Sequence, residues 1–282
     1  MSNSLNHVLD FYSRHPISGE HILAKLRAIR GHLDNLRPED LYAHDQDHYG
    51  GLQANDALAQ RAEIKPGEHV ADFCAGLGGP ARYLAHRYGA VITGIELNPN
   101  RVTGAEGLTR RVGLQDRVRI IQGNVMDVPL ADESMDVVVS QEAFLHVPDK
   151  GKALREALRI LKPGGRLVFT DWVAHRPLAP DEAETMWRGI AAQTIQSFAT
   201  YRDLLQGTGF VIRSVDDLTT EWGVVLDERF SMYRKLREET LRAGLPAGDE
   251  EFYSAYGKLV ALVKARVLGG GRFTAAKSLG AR

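Results

Sequence analysis

DFCAGLGGPARYLA, residues 72–85, completes the short apolar run EHVADF and opens directly into a helix-like pattern. An acid, Asp72, stands near the end of that run, and Gly76, Gly78 and Gly79 follow within seven positions. Glycines at such a turn admit left-handed dihedrals and let a ligand approach the backbone. In an open α/β sheet, ligands bind at the carboxyl ends of the strands, where this loop falls. Twenty residues beyond Gly76, Glu96 closes the next apolar run, AVITGIEL, where a carboxylate can accept both hydroxyls of a ribose. Taken alone the glycines would mark only a tight turn; with strand, helix and acid around them they spell a nucleoside site.

Outward from this loop, RVRIIQG, MDVVVS and GRLVFTD repeat the texture of short Val- and Ile-rich runs separated by helix-length segments. Runs that do not alternate with polar residues suit strands buried on both faces of a parallel sheet. The expected fold is therefore α/β, a doubly wound, mostly parallel seven-stranded sheet. Asn98-Pro99 reads as a helix N-cap with proline at the first helical position, and LKPGGRL as a helix stop. Residues 1–66 form a helical, lid-like preface in which Ile22, Leu26, Ile29 and Leu33 share one stripe. Residues 67–222 make the ligand-binding core with a cap insertion, and 223–282 add two amphipathic helices and a final strand, RFTAAKS. Either helix could serve as a homodimer surface, although packing within the chain is the default.

The bulk numbers narrow the partners. Thirty-five basic against 36 acidic residues leave a formal charge of -1, with no long-range field to draw nucleic acid or an anionic membrane. A small molecule fits better. The one cysteine, Cys74, excludes an internal disulfide and a multi-cysteine zinc site, so no metal is expected. No apolar run nears 18 residues, and the start MSNSLNHVLDFYSRH lacks a signal-peptide pattern, so a cytoplasmic protein is expected, without membrane insertion.

Two cofactor classes share the loop geometry. Gly76-Leu-Gly-Gly-Pro-Ala81 formally satisfies G-x-G-x-x-A, the dinucleotide pattern. A pyrophosphate, however, would be poorly served by Asp72 at the mouth of its loop. S-adenosylmethionine carries an ammonium and a sulfonium instead of phosphates, which suits an acid there. In VADFCAGLGGPARYLA the sequence resembles the class I S-adenosylmethionine-dependent methyltransferases, whose first motif is D-x-G-x-G-x-G-G, with Cys74 in the place of the first glycine. SQEAFLHVPDK (140–150) and DQDHYGG (45–51) resemble a narrower group, the sarcosine and dimethylglycine methyltransferases, with phosphoethanolamine, tocopherol and prenyl-diphosphate methyltransferases as cousins.

That resemblance implies S-adenosyl-L-methionine as cofactor, held by Asp72, Gly76, Gly78, Gly79, Glu96, Leu97, Asn124, Val125, Met126 and Gln141. Leu97 would touch the adenine, and the Asn124 amide could accept its amine hydrogen. It also implies His146 and Tyr49 as catalytic groups, after the histidine and lid tyrosine of the phosphoethanolamine enzymes. Tyr42, Glu142, Trp172 and Phe198 are the candidates for binding the methyl acceptor. That acceptor is expected to be the nitrogen of an amino acid or amine, then a prenyl carbon, then a hydroxyl. A nicotinamide-dependent dehydrogenase, disfavoured by Asp72, and a non-catalytic cofactor-binding protein are the rivals.

Overall fold

The computed structural model describes residues 3–13, 17–242 and 250–280. Four helices precede the sheet: α1 (Asn3–Ser13), α2 (Gly19–Arg30), α3 (Pro38–Leu41) and α4 (Gly51–Arg61). Strands and helices then alternate as β1 (His69–Phe73), α5 (Gly79–Tyr88), β2 (Val91–Glu96), α6 (Pro99–Arg111), β3 (Val118–Gln122), β4 (Met135–Gln141), α7 (Lys150–Ile160) and β5 (Leu161–Ala174). The remainder is α8 (Pro180–Ile190), α9 (Phe198–Thr208), β6 (Val211–Asp217), α10 (Thr219–Arg242), α11 (Glu250–Lys264) and β7 (Leu268–Ala276). These build one seven-stranded sheet in the order β3-β2-β1-β4-β5-β7-β6, with β7 antiparallel to both its neighbours. Strand order reverses between β1 and β4. That switch point opens a crevice at the carboxyl ends of the strands.

Alternation along each strand feeds both faces. Val70, Ile92, Val137, Val139 and Val168 pack with Leu58, Leu84 and Leu108 on one side, while Ala71, Ile95, Val138, Leu167 and Phe169 pack with Leu154 and Leu205 on the other. A third cluster joins Trp172, Trp222, Leu226 and Leu259 under α10 and α11.

Several expectations shift in detail. Of the α2 stripe, Ile22 and Leu26 are buried but Ile29 is exposed, because the helix caps at Gly31 before its last turn reaches the core. The polar stretch LYAHDQDHYGGLQAND, short of helix formers, nevertheless passes into α4 at Gly51, which turns Asn55 and Leu58 inward. β7 starts at Leu268, ahead of RFTAAKS, because its glycines let α10 lie directly on it: a Cβ at Gly270 would sit 2.4 Å from the Trp222 ring, and one at Gly269 1.9 Å from Thr219. Helix α10 runs through the expected boundary at residue 222. No described helix is long and apolar enough to cross a membrane.

The loop after α3 reaches the sheet through one buried ion pair. Arg82 Nη2 donates to Asp45 Oδ2 at 2.9 Å, each side chain 1% exposed, and Arg82 Nη1 also reaches Ala105 and Thr109. Burial outweighs attraction, holding the Asp45 carboxyl above its usual range and the Arg82 guanidinium below. The pair fixes geometry more than it adds stability. Beside it, a Cβ on Gly79 would lie 1.9 Å from the Asp45 carbonyl oxygen, so only glycine permits this contact. Asp45→Ala, which strands a buried cation, should lower unfolding stability by about 3–5 kcal/mol in urea denaturation; a loss under about 1 kcal/mol would show the pair to be dispensable.

Candidate functional site

Between β1 and α5 the chain turns through Cys74 (φ +61°), Gly76 (φ +56°) and Gly78 (φ +72°). Cys74 is thus a side-chain residue in the left-handed region, where such residues cost of order 1 kcal/mol or more. Burial and neighbouring carboxylates push its thiol well above the ordinary range, so it is a poor nucleophile. Glu96, at the tip of β2, accepts Gly76 N–H and Asn98 N–H, one on each oxygen, both at 2.8 Å. Asn98 in turn caps α6 by accepting from Asn100 and Arg101 N–H.

Asp72 is buried in β1, and its Oδ2 has no partner among the described residues. Burial, then the nearby Glu96 carboxylate, push its carboxyl up to about 7. From the end of β4, Gln141 donates to Asn55 Oδ1 (2.6 Å), and Asn55 to Gln46 Oε1 (2.7 Å), which ties α4 and its preceding loop to the sheet. Leu97, Val125 and Met126 line the crevice, while Asn124 Oδ1 accepts Met126 N–H at 2.9 Å and so shapes its own loop.

His146 closes a single 3-10 turn, Phe144–His146, after β4. Its Nδ1 faces the Ala191 carbonyl at 3.1 Å, which fixes the proton on Nδ1 and leaves Nε2 to accept the Tyr12 hydroxyl at 2.8 Å. Tyr12 comes from α1. Its ring carries the Arg101 guanidinium at 4.8 Å, and Arg101 Nη2 donates to Asp47 at 2.6 Å. Burial raises the Tyr12 phenol further above its already high range. Glu142 is a second strained residue of the wall (φ +53°); its carboxylate accepts Tyr49 N–H at 2.7 Å, and burial pushes it up to about 8.

One cavity therefore gathers Asp72, Gly76, Gly79, Glu96, Leu97, Asn124, Val125, Met126 and Gln141 with Glu142 and His146. Gly78 is not part of its wall but the left-handed cap of α5. Tyr49 lies outside the wall too: it packs against Trp172 and Trp222 at 5.7 and 5.1 Å under Arg229, and reaches the site only through its main chain. Trp172 belongs to that same cluster. Phe198 packs on Phe273 and His175, and Tyr42 bonds His86 at 2.7 Å, both away from the cavity. The sequence reading missed Tyr12, Asp47, Asn55 and Arg101. Leu5, Val8, Leu9 and Tyr12, spaced i, i+3, i+4 and i+7, were the available signal, since they form the face that α1 turns to the cavity.

Residues 71–169 match the methyltransferase-domain family. Around this segment the chain is 30% identical over 61% of its length to the methyltransferase GfsG of Streptomyces halstedii, and 32% identical over 56% to the sarcosine/dimethylglycine N-methyltransferase of Halorhodospira halochloris. It spans 63% and 56% of those relatives. A putative sarcosine dimethylglycine methyltransferase from Galdieria sulphuraria has the same fold, with a TM-score of 0.73 at 22% identity over 93% of this chain and 99% of that one. The matched segment thus holds the glycine loop and His146, whereas Tyr12, Asp45, Asp47 and Asn55 come from the segment ahead of it.

The raised Asp72 carboxyl has a stability consequence. The folded state holds a proton there that the unfolded chain releases near 4, so this contribution is full below about 4 and lost as pH rises through about 7. Asp72→Asn should abolish that part of the decline and leave the ligand-free protein on the order of 3 kcal/mol more stable at pH 8. Thermal unfolding across pH 4–8 checks it; parallel curves for both proteins would contradict the assignment.

Proposed function

We propose that this chain is an enzyme that transfers a methyl group from S-adenosyl-L-methionine to a small-molecule acceptor, with the nitrogen of an amino acid or amine as first choice. One observation carries this reading. The crevice at the switch point is lined by two carboxylates, Asp72 and Glu96, with Asp72 Oδ2 buried and unpartnered. A pyrophosphate would meet repulsion there, whereas a nucleoside bearing an ammonium and a sulfonium gains from both. Ionising Asp72 on cation binding would relieve its raised pKa. Glu96, oriented by the Gly76 and Asn98 amides, would hold the ribose hydroxyls, and Leu97, Val125 and Met126 would flank the adenine. Arg101 Nε and Nη1, buried and without a hydrogen-bond partner among the described residues, suit the carboxylate of the amino-acid end.

The cofactor supplies an electrophilic methyl on sulfur. This chain's residues would align an acceptor for in-line displacement and keep water out. Tyr12 and the apolar face of α1 cover the cavity beside His146. The His146–Tyr12 hydrogen bond, with Nδ1 held by Ala191, makes a group that can orient the acceptor and take up its proton. The single cysteine suits a cytoplasmic setting.

Methyl-tritiated S-adenosylmethionine with a metabolite extract should yield labelled product. His146→Ala and Tyr12→Phe should each bind S-adenosylhomocysteine within about twofold of wild type yet slow labelling at least about tenfold. Unchanged labelling in both would remove the pair from the reaction, and cofactor binding without any labelling would make the chain a binding protein.

A further inference from the structure

Resting on that reading, we infer that the methyl acceptor is an apolar amine bearing no carboxylate or phosphate. The cofactor candidates account for the half of the cavity formed by the ends of β1, β2 and β3. What remains is the face of α1 with Leu5, Val8 and Leu9, and the segment after β4 with Glu142, His146, Val147 and Pro148. Apolar groups dominate this half, and its acidic side chain is Glu142. Such a wall suits a hydrophobic body presenting a nitrogen.

An anionic acceptor would need a counter-cation here. Among the described cavity-lining residues the only lysine or arginine is Arg101, and it reaches the glycine-loop end, where a Cβ on Gly76 would come within 3.0 Å of its Nη2. It is also paired with Asp47 and stacked over Tyr12. Lys150, just behind the wall, spends its ammonium on Val147 O, Thr194 O and Thr194 Oγ1. Arg229 lies over the Tyr49 ring and donates to His48 O. His48, in the wall, is driven by burial to about 4 and is neutral at neutral pH. A carboxylate or phosphate placed beside Glu142 would find no unengaged counter-cation among the described residues of this half and would drive the Glu142 carboxyl higher still. An ammonium in the same place gains a partner.

Glu142 is built for this role. Its backbone is held in the left-handed region by Glu142 N–H donating to Thr170 O at 2.8 Å, and its carboxylate is aimed by the Tyr49 amide. Strain of this kind persists where the surroundings over-determine it, typically at ligand sites. The bound ammonium passes one proton to the Glu142 carboxylate. The freed nitrogen lone pair then forms the N–C bond as the S–C bond breaks with its electrons left on sulfur. The product leaves as a methylated ammonium, and Glu142 returns its proton to solvent.

The test uses the full chain with methyl-tritiated S-adenosylmethionine and matched acceptors. Phenethylamine, decylamine and their N-methyl forms are set against phenylalanine, sarcosine, phosphoethanolamine, and geranyl diphosphate with magnesium. At least tenfold more label in an apolar amine than in any anionic acceptor is expected. Glu142→Gln should cut that labelling at least tenfold and Glu142→Asp restore part of it, with S-adenosylhomocysteine affinity unchanged within twofold in both. Preferential labelling of an anionic acceptor, no label in any amine, or full activity in Glu142→Gln overturns the inference. Failure of the wild-type chain to bind S-adenosylhomocysteine at all would instead overturn the methyltransferase reading beneath it.

Discussion

A single carboxylate, that of Glu96, joins the two halves of the site. One oxygen receives the amide of Gly76 from the loop after β1, and the other receives the amide of Asn98 at the start of α6. The glycine loop, the tip of β2 and the first turn of α6 are therefore positioned by one group. Charge-assisted bonds from backbone amides to a carboxylate are stronger than neutral ones, and they leave its outer lone pairs directed to the crevice. Asp72 lines the same crevice, and its Oδ2 has no hydrogen-bond partner among the described residues. On the proposed function, the two acids together favour a cation-bearing nucleoside over a pyrophosphate.

Around this centre the segment ahead of the sheet acts as the fourth wall. Its seating depends on Gly79 having no side chain and on the Asp45–Arg82 pair, because the loop backbone touches the glycine loop itself. The Gln141–Asn55–Gln46 chain and the Arg101–Asp47 pair repeat the tie at two further points. Helix α1 then lies over the opening, with Tyr12 bonded to His146.

The core of this arrangement was legible in the sequence because it depends on local rules. Positive-φ turns favour glycine, a strand ends in an acid, and Asn-Pro starts a helix; these gave the glycine loop, the start of α6 and Glu96. Leu97, Val125 and Met126, in the loops just after β2 and β3, came from the resemblance instead. Tyr12, Arg101 and Asp47 were hidden because they meet across long separations in sequence, although the i, i+3, i+4, i+7 stripe of α1 was visible. Tyr49, Trp172 and Phe198 were misplaced for a different reason. Large aromatics near a site are drawn equally to its wall and to the packing behind it, and composition cannot say which; here Gly269 and Gly270 let Thr219 and Trp222 of α10 sit down on β7, with Tyr49 against Trp222. Cys74 departs from the glycine pattern yet takes the same left-handed backbone.

The most direct measurement is calorimetric titration of the ligand-free protein with S-adenosylhomocysteine and, separately, with NAD, repeated on Glu96→Ala. The account predicts saturable binding of the first ligand, none of the second, and at least a tenfold loss of affinity in the variant. NAD binding without S-adenosylhomocysteine binding, or equal affinity in Glu96→Ala, would contradict it.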